Sequence, residues 1–507
     1  LNIEYFMEYI PTIGLEIHCE LATESKMFCS CRNFPEEKEP NKNICPVCLG
    51  HPGTLPVANA EAIRKVRLVG VALGSKILPN SKFDRKNYFY PDLSKGYQIS
   101  QYDLPLCLGG VLEIGSGATK KTIGITRIHM EEDTGKLAHP DGADYSLVDF
   151  NRGGLPLMEL VTDPDIENAA QAREFVKELQ LILRYLGASD ADMEKGKMRV
   201  EVNISLSPKD NGGKKVLGTK VEIKNLNSLR AVEGCVATEI ARQSGILADG
   251  GKVLQETRGW SDAKLDTFSQ REKEEAFDYR YFPEPDIPPM VITDGDIAKL
   301  RAMVCELPSQ KRVRFADQYG LNPAMVEIFV TNRPMGNYFE KVISEAEEWI
   351  NVTEGDCDNT KEQMSAVAGL CANYLVSDAQ GILNGAEFTS ENFKVTPENF
   401  AEFIKLIYKK EISSKIAKAV LAQMAQNGAD PSDIIDKEGL SQINDDSQIM
   451  AAIEGVLEKN QKAVVDYRSG KGNSLQFLVG QVLAATRGRA NPDMVKKTLL
   501  EKLSQGK

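Results

Sequence analysis

The chain of 507 residues contains only four histidines, and all of them (His18, His51, His129 and His139) lie in its first third. Imidazole chemistry is therefore restricted to the amino-terminal part. No unbroken apolar run approaches the roughly 20 residues that span a bilayer, and no basic-then-apolar leader with a small-residue cleavage site opens the chain. These absences predict a soluble, cytosolic protein without membrane contact. Residues Leu1 to Phe6 precede Met7 and read as an upstream extension. A Gly-x4-Gly-Lys-Ser/Thr phosphate loop is missing too, since Gly135-Lys136, Gly196-Lys197, Gly251-Lys252 and Gly470-Lys471 all lack its context. Any nucleotide must then be held by metal and charged strands. Fixed-period repeats and low-complexity segments are also absent. Six of the ten cysteines (Cys19, Cys107, Cys235, Cys305, Cys357 and Cys371) are dispersed singles, which fits a reducing compartment.

The other four cysteines are grouped. Cys29, Cys31, Cys45 and Cys48 follow a C-x-C-x13-C-x2-C pattern in which Pro46 bends the second pair. Thiolates at this spacing converge tetrahedrally on Zn²⁺, whereas such short loops strain a cystine. The alternatives are buried thiols or two disulfides. Just upstream, Thr12 to Leu21 alternates so that Glu16, His18 and Glu20 share one face of a strand.

Length alone argues for about three domains. From about Thr12 to Pro289 strands and helices mix. Arg127, His129 and Glu131 share a face opposite Ile128 and Met130. Arg199, Glu201, Asn203 and Ser205 oppose Val200, Val202, Ile204 and Leu206, and Lys220, Glu222 and Lys224 oppose Val221 and Ile223. Such alternation predicts an antiparallel sheet with one polar face. Between these strands a helix is expected, capped by Asp163, with Pro164 in its first turn, an apolar stripe of Ala172, Phe175, Leu179, Ile182 and Leu186, and Gly187 as its stop. Four prolines in Phe282 to Pro289 mark a domain boundary. The remainder reads as helical, including Ala401 to Lys409, Glu411 to Gln426, Ile449 to Lys459 and Ser474 to Thr486, with a looser boundary near Pro397. The net charge of −12 is unevenly spread: Gly455 to Lys507 holds 7 Lys and 3 Arg against 2 Asp and 2 Glu. A basic end on an acidic body suggests one local contact with a polyanion, or else a solvated helical surface.

Carboxylates beside imidazoles suit Mg²⁺ or Mn²⁺ holding phosphates, because hard cations take oxygen ligands. Glu16 and His18, the run His129-Met-Glu-Glu-Asp133, and Glu159 have that composition. Taken singly, each is equally the wet face of a sheet or a solvated turn. Arg152-Gly153-Gly154 offers a guanidinium and backbone amides to a phosphate, or is a turn that geometry requires.

Several long motifs together closely resemble the B subunit of the aspartyl/glutamyl-tRNA amidotransferase. They are Ile13-Gly-Leu-Glu-Ile-His18, Ser25-Lys-Met-Phe-Cys29, Cys45-Pro-Val-Cys-Leu-Gly50, Arg85 to Gln98, His129 to Gly135 and Asp149-Phe-Asn-Arg-Gly-Gly154. The segment Gly472 to Gly480 resembles the family's helical tail. The resemblance covers nearly the whole chain, and Asn351 to Phe393 is longer than expected, as an elaboration of the helical domain.

The resemblance implies an α+β fold: a glutamine-synthetase-like catalytic cradle with a largely antiparallel sheet over residues 7–290, its zinc knuckle at 29–48, then an all-α helical domain over 291–397 and a tRNA-binding tail over 398–507. It implies that ATP phosphorylates the side-chain carboxylate of Asp-tRNA(Asn) or Glu-tRNA(Gln), and that ammonia then displaces the phosphate. On that reading Glu16, His18, Glu131 and Glu159 hold Mg²⁺. Arg152 and Arg199 contact phosphate or acyl phosphate, and Glu132 and Glu201 are second choices for metal or base. Lys471, Arg487 and Arg489 meet the tRNA backbone beside the loop Ser469 to Asn473. The chain has no glycine- and serine-rich amidase signature and no amino-terminal cysteine nucleophile, so ammonia must come from elsewhere. The family implies a heterotrimer, in which an amidase-fold glutaminase makes the ammonia and a small third subunit wraps the pair. Two competing readings are a zinc-stabilised tRNA-binding scaffold and a free-standing ammonia ligase for a small acid.

Overall fold

Period-two alternation in the amino-terminal half becomes a ten-stranded, mostly antiparallel sheet in the computed structural model, which describes residues 9–209, 217–272, 279–353, 357–440, 446–486 and 489–504. The central strands run, side by side, Val221–Leu226, Met198–Pro208, Tyr9–Glu20, Pro156–Thr162 and Lys121–Glu132. One pair is parallel: Val221–Leu226 and Glu256–Ser261 are linked through the helix Leu229–Ala248. A parallel pair needs such a crossover because a tight turn only reverses the chain.

The alternating side chains divide cleanly. Ile13, Leu15 and Ile17, Val200, Val202 and Ile204, Met158 and Leu160, and Ile128 and Met130 are buried in one apolar core with Phe175, Val176 and Leu179 of one helix and Val232, Cys235 and Val236 of another. Burying each such aliphatic side chain contributes roughly 1.5–3 kcal/mol. That face fixes the register, and the opposite face is left to polar residues.

The helix after the Pro156–Thr162 strand is Ala169–Tyr185, capped by Asn168, whose side chain accepts from Gln171 N. The expected cap, Asp163, instead accepts from Thr126 Oγ1 at 2.6 Å, while Ile166 forms a bridge with Ile13. Pairing with the central strands competes for this segment and wins, so helix formation waits until Asn168. Gly187, at φ +61°, ends the helix as its sequence suggests.

The proline-rich stretch does not end the first compact unit, which runs to Pro308. Arg280–Pro283 pairs with Asp84–Asn87, Met290–Val291 pairs with Asn80–Ser81, and Glu284 accepts from Arg85 Nε at 2.7 Å. Proline is tolerated at such short edge pairings because a missing N–H breaks no interior ladder. The helix Asp294–Met303 then adds Leu300 to the same core.

The second unit, Ser309–Lys507, is helical among its described residues. Pro397 is not a boundary there. It opens the helix Pro397–Tyr408 behind the cap Thr396, and Phe400 and Phe403 join Phe315, Phe329 and Phe339 in one core. Val367, Cys371, Phe388 and Phe393, from the segment expected as an elaboration, belong to that core too. A separate cluster begins at Ile449 and ends at Leu503, so the apolar cores part between Leu440 and Ile449. Together the units form an α+β chain. Among the described residues no helix is long and apolar enough to cross a membrane.

Candidate active site and cysteine cluster

Strand register assembles the site from residues far apart in the chain. Arg199 pairs with His18, His18 with Glu159, and Glu159 with His129, so four polar side chains form one row across four strands. At about 4.8 Å per strand the row spans roughly 14 Å. Glu16 pairs with Glu201, one step along the same face.

The carboxylates converge on imidazole nitrogens. His18 Nε2 lies 3.3 Å from Glu159, 3.9 Å from Glu16 and 3.9 Å from Glu131. His129 Nε2 lies 3.4 Å from Glu159 and 3.7 Å from Glu131. Potential ligand atoms of Glu16, His18 and Glu159 all lie within 4.8 Å of one another, as do those of His129, Glu131 and Glu159. The four expected Mg²⁺ ligands are thus brought together, and His129 joins them. Its position two residues before Glu131 on the same face is the signal available in the sequence.

Packing so many acids in a buried place has electrostatic consequences. Burial, followed by the charges of Glu159 and Glu201, pushes the Glu16 carboxyl up to about 7. Burial alone depresses an imidazolium, yet the neighbouring carboxylates outweigh it, raising His18 and bringing His129 to about 9. Burial raises the Glu131 carboxyl, but the Lys86 ammonium, 3.5 Å away, and His129 together outweigh it and bring it down to about 2. Ser100 Oγ and Gln98 Nε2 also donate to Glu131, at 2.7 and 3.1 Å. His129 Nδ1 is buried without a hydrogen-bond partner among the described residues. The Nε2 atoms of His18 and His129, facing clustered carboxylates, form a donor set that fits a divalent cation, whose charge would offset the packed acids.

At the end of the same face two arginines share one acid. Arg199 Nη2 donates to both oxygens of Asp133 at 2.8 Å, and Arg152 Nε lies 3.4 Å from it. Arg152 also donates to the carbonyls of Thr134 and Gly135. Burial penalises the Asp133 carboxylate, but the two guanidiniums hold its pKa below the usual range. Both expected phosphate-binding arginines are therefore aimed by a residue that sequence reasoning does not single out. Glu20 lies beside Asp133, and burial together with that charge pushes its carboxyl up to about 8.

The second-choice acids are differently placed. Glu132 is engaged by Lys95 Nζ at 2.7 Å and by the amide of Ile99 at 2.9 Å, so it anchors the Tyr97–Ser100 strand. Glu201 accepts from Lys224 Nζ at 2.6 Å, next to Glu16.

The four cysteines form the other cluster. Their sulfurs lie within 4.8 Å of one another, and all four are free thiols, so the alternative of two disulfides is not formed. The Cys48 thiol is pulled down to about 5, first by the hydrogen bond from Cys29 and then, against burial, by the Lys26 ammonium. Lys26 is wholly buried. Its Nζ donates to the carbonyls of Gly153 at 2.7 Å and Phe150 at 3.0 Å, and lies 4.0 Å from Cys48 Sγ. One side chain thus joins the cysteine cluster to the loop that carries Arg152.

In the tail, Lys471 is exposed but pairs with Asp466 at 2.9 Å. Arg489 donates to the carbonyls of Thr486 and Gly439. Arg487 lies outside the described residues. The loop ends where the helix Asn473–Ala485 begins, with no side-chain cap on its first amides.

Two family models match the chain. One, described as the GatB/GatE catalytic domain, covers residues 11–298, and the other, a GatB domain, covers residues 358–503. The aspartyl/glutamyl-tRNA(Asn/Gln) amidotransferase B subunit of Caldicellulosiruptor saccharolyticus is 45% identical over 502 residues, covering 98% of this chain and 100% of its own. The protein of the same name from Dehalococcoides mccartyi strain CBDB1 is 44% identical, again covering 98% and 100%. That from Crocosphaera subtropica is 42% identical over 98% of each.

Proposed function

Because the chain belongs to the family of aspartyl/glutamyl-tRNA(Asn/Gln) amidotransferase B subunits, we propose that its polar sheet face is the phosphoryl-transfer and amidation centre of a tRNA-dependent ligase. The substrate is Asp-tRNA(Asn) or Glu-tRNA(Gln), the phosphoryl donor is ATP, and the product is Asn-tRNA(Asn) or Gln-tRNA(Gln). The sheet and its flanking strands act as a glutamine-synthetase-like cradle, working in the cytoplasm.

The observation that carries this reading is the row of His18, Glu159 and His129, with Glu16 and Glu131 around it. These five residues, in two groups that share Glu159, would hold Mg²⁺, which would supply positive charge to the phosphoryl group in transfer. Arg199 and Arg152, aimed by Asp133, orient the substrate carboxylate and then the acyl phosphate. Lys86 and Gln98 hold Glu131 in place, and Lys224 does the same for Glu201 beside Glu16. Attack by ammonia on the acyl carbon expels phosphate, and a closed cradle keeps water from competing.

The four cysteines would hold Zn²⁺ in a structural role. Lys26 offsets the negative charge of the thiolates and ties the knuckle to the Arg152 loop. Ammonia comes from an amidase-fold partner that hydrolyses glutamine, assembled with a small third subunit. The basic tail positions the tRNA through its backbone, without reading bases.

The test is ATP turnover by the purified complex with each mischarged tRNA. Turnover that depends on Glu-tRNA(Gln) or Asp-tRNA(Asn) supports the reading. ATP consumption on free glutamate or aspartate with ammonium and no tRNA would favour the small-acid ligase.

A further inference from the structure

Beside the metal-capable cluster stands a small, separate sheet, Arg280–Pro283, Asp84–Asn87 and Tyr97–Ser100, in which Tyr281 pairs with Lys86 and Lys86 with Gln98. Three of its side chains reach into the cluster: Lys86 Nζ lies 3.5 Å from Glu131, and Gln98 and Ser100 donate to the same carboxylate. This sheet and its flanks carry two aromatic pairs. The rings of Tyr102 and Tyr281 stack at 4.4 Å and 15°, while Tyr88 and Tyr279 meet edge to face at 5.5 Å. Tyr102 is 63% exposed and Tyr279 is 48% exposed. Lys86 Nζ sits 5.0 Å from the Tyr279 ring centre, and the exposed Arg280 lies between Tyr279 and Tyr281 in the chain.

Single exposed tyrosines are ordinary, but paired rings, one of each pair exposed and cations close by, have the composition of a base-stacking platform. Reach selects the occupant. Passing through Lys86 Nζ, the Tyr279 ring centre is at most about 8.5 Å from Glu131. The side-chain carboxylate of an aminoacyl ester lies roughly 8–12 Å from the base of the nucleoside that carries it, by ordinary bond lengths. When the carboxylate oriented by Arg199 and Arg152 meets the phosphoryl group at the cluster, the aminoacyl ester brings its own terminal base within reach of this shelf. ATP also ends in adenine, but a mononucleotide brings one base, whereas two aromatic pairs suit two consecutive bases of an unpaired 3′ end.

We propose that Tyr102 and Tyr279, with their partners Tyr281 and Tyr88, seat the last two bases of the aminoacyl-tRNA. This rests on the transamidation reading above and assigns that substrate a binding site. The shelf fixes the distance between the 3′ end and the phosphoryl-transfer centre.

The experiment uses the assembled amidotransferase with Tyr102→Ala, Tyr279→Ala and the two Tyr→Phe variants. It measures the KM for Glu-tRNA(Gln) or Asp-tRNA(Asn), the KM for ATP, and glutaminase activity. Each alanine variant should raise the KM for aminoacyl-tRNA roughly tenfold to a hundredfold. The KM for ATP should stay within about twofold, and the Phe variants should keep near-normal values, since stacking needs the ring and not the hydroxyl. A rise confined to the KM for ATP would overturn the proposal in favour of the ATP adenine. Loss of assembly or of glutaminase coupling, with the tRNA KM unchanged, would overturn it in favour of a surface that docks the glutaminase. Failure of the underlying reading looks different, because the wild-type complex would then show no tRNA-dependent ATP turnover at all.

Discussion

The cysteine knuckle and the carboxylate–imidazole row are both able to hold a cation, yet the chain builds them by opposite means. The knuckle draws its four ligands from Cys29 to Cys48, within one short segment. The row takes Glu16 and His18 from one strand, His129 and Glu131 from a second and Glu159 from a third, and only strand register brings them together. Soft thiolates close completely around a metal and suit a structural role, whereas hard oxygens beside imidazoles leave positions for substrate oxygens. The first site can be damaged locally. The second depends on the whole sheet, and through Lys26 the two are joined.

The strongest way to separate them is Glu159→Gln, since Glu159 is shared by both groups of potential ligands in the row. Activity in ATP-dependent transamidation should fall by roughly 10²–10³-fold or more, while zinc content and glutaminase activity of the complex stay normal. Parallel loss of zinc would break the distinction drawn here. Next in size is Cys45→Ser. It should lower zinc content and shift the melting temperature down by roughly 5–15 °C, with the activity lost only in proportion to unfolded protein. A smaller, more telling effect is expected of Lys26→Met, which strands the carbonyls of Gly153 and Phe150 and leaves Cys48 without its ammonium. Stability should drop by about 3 kcal/mol, and zinc affinity by roughly tenfold or more, read with a chromophoric chelator. Unchanged zinc affinity would show that Lys26 serves the Arg152 loop alone. The smallest effect concerns the tail: neutralising Lys471, Arg487 and Arg489 should raise the KM for mischarged tRNA about three- to tenfold and flatten its salt dependence by about two to three in log–log slope. An unchanged slope would leave the tail a structural module.

The same contrast explains what can be read from the sequence. Local patterns are legible: the spacing of the cysteines, and the alternation that puts Glu16 with His18 and Arg199 with Glu201. Which strands lie side by side is not, because register is set by the apolar face and by pairings across long separations. So Glu159 stands in the sequence only as one acid in a glycine-rich motif, and nothing local shows that His129 faces it across the strands. Asp133 reads as the end of an acidic run, yet it is buried and aims Arg199 and Arg152. Pro397 and the prolines of Phe282 to Pro289 mislead for a related reason. Proline forbids an interior N–H bond but fits the first turn of a helix or a short edge pairing, and tertiary packing decides which.

Cation binding at the row is the property on which the proposed phosphoryl transfer depends most directly. Mn²⁺ in place of Mg²⁺ can be counted by electron paramagnetic resonance on the zinc-loaded complex, in the wild type and in Glu159→Gln. The expected result is saturable Mn²⁺ binding that tightens with ATP in the wild type, and affinity weakened at least about tenfold in the variant with its zinc retained. Equal Mn²⁺ affinity in the two proteins would contradict the assignment of this sheet face as the phosphoryl-transfer centre.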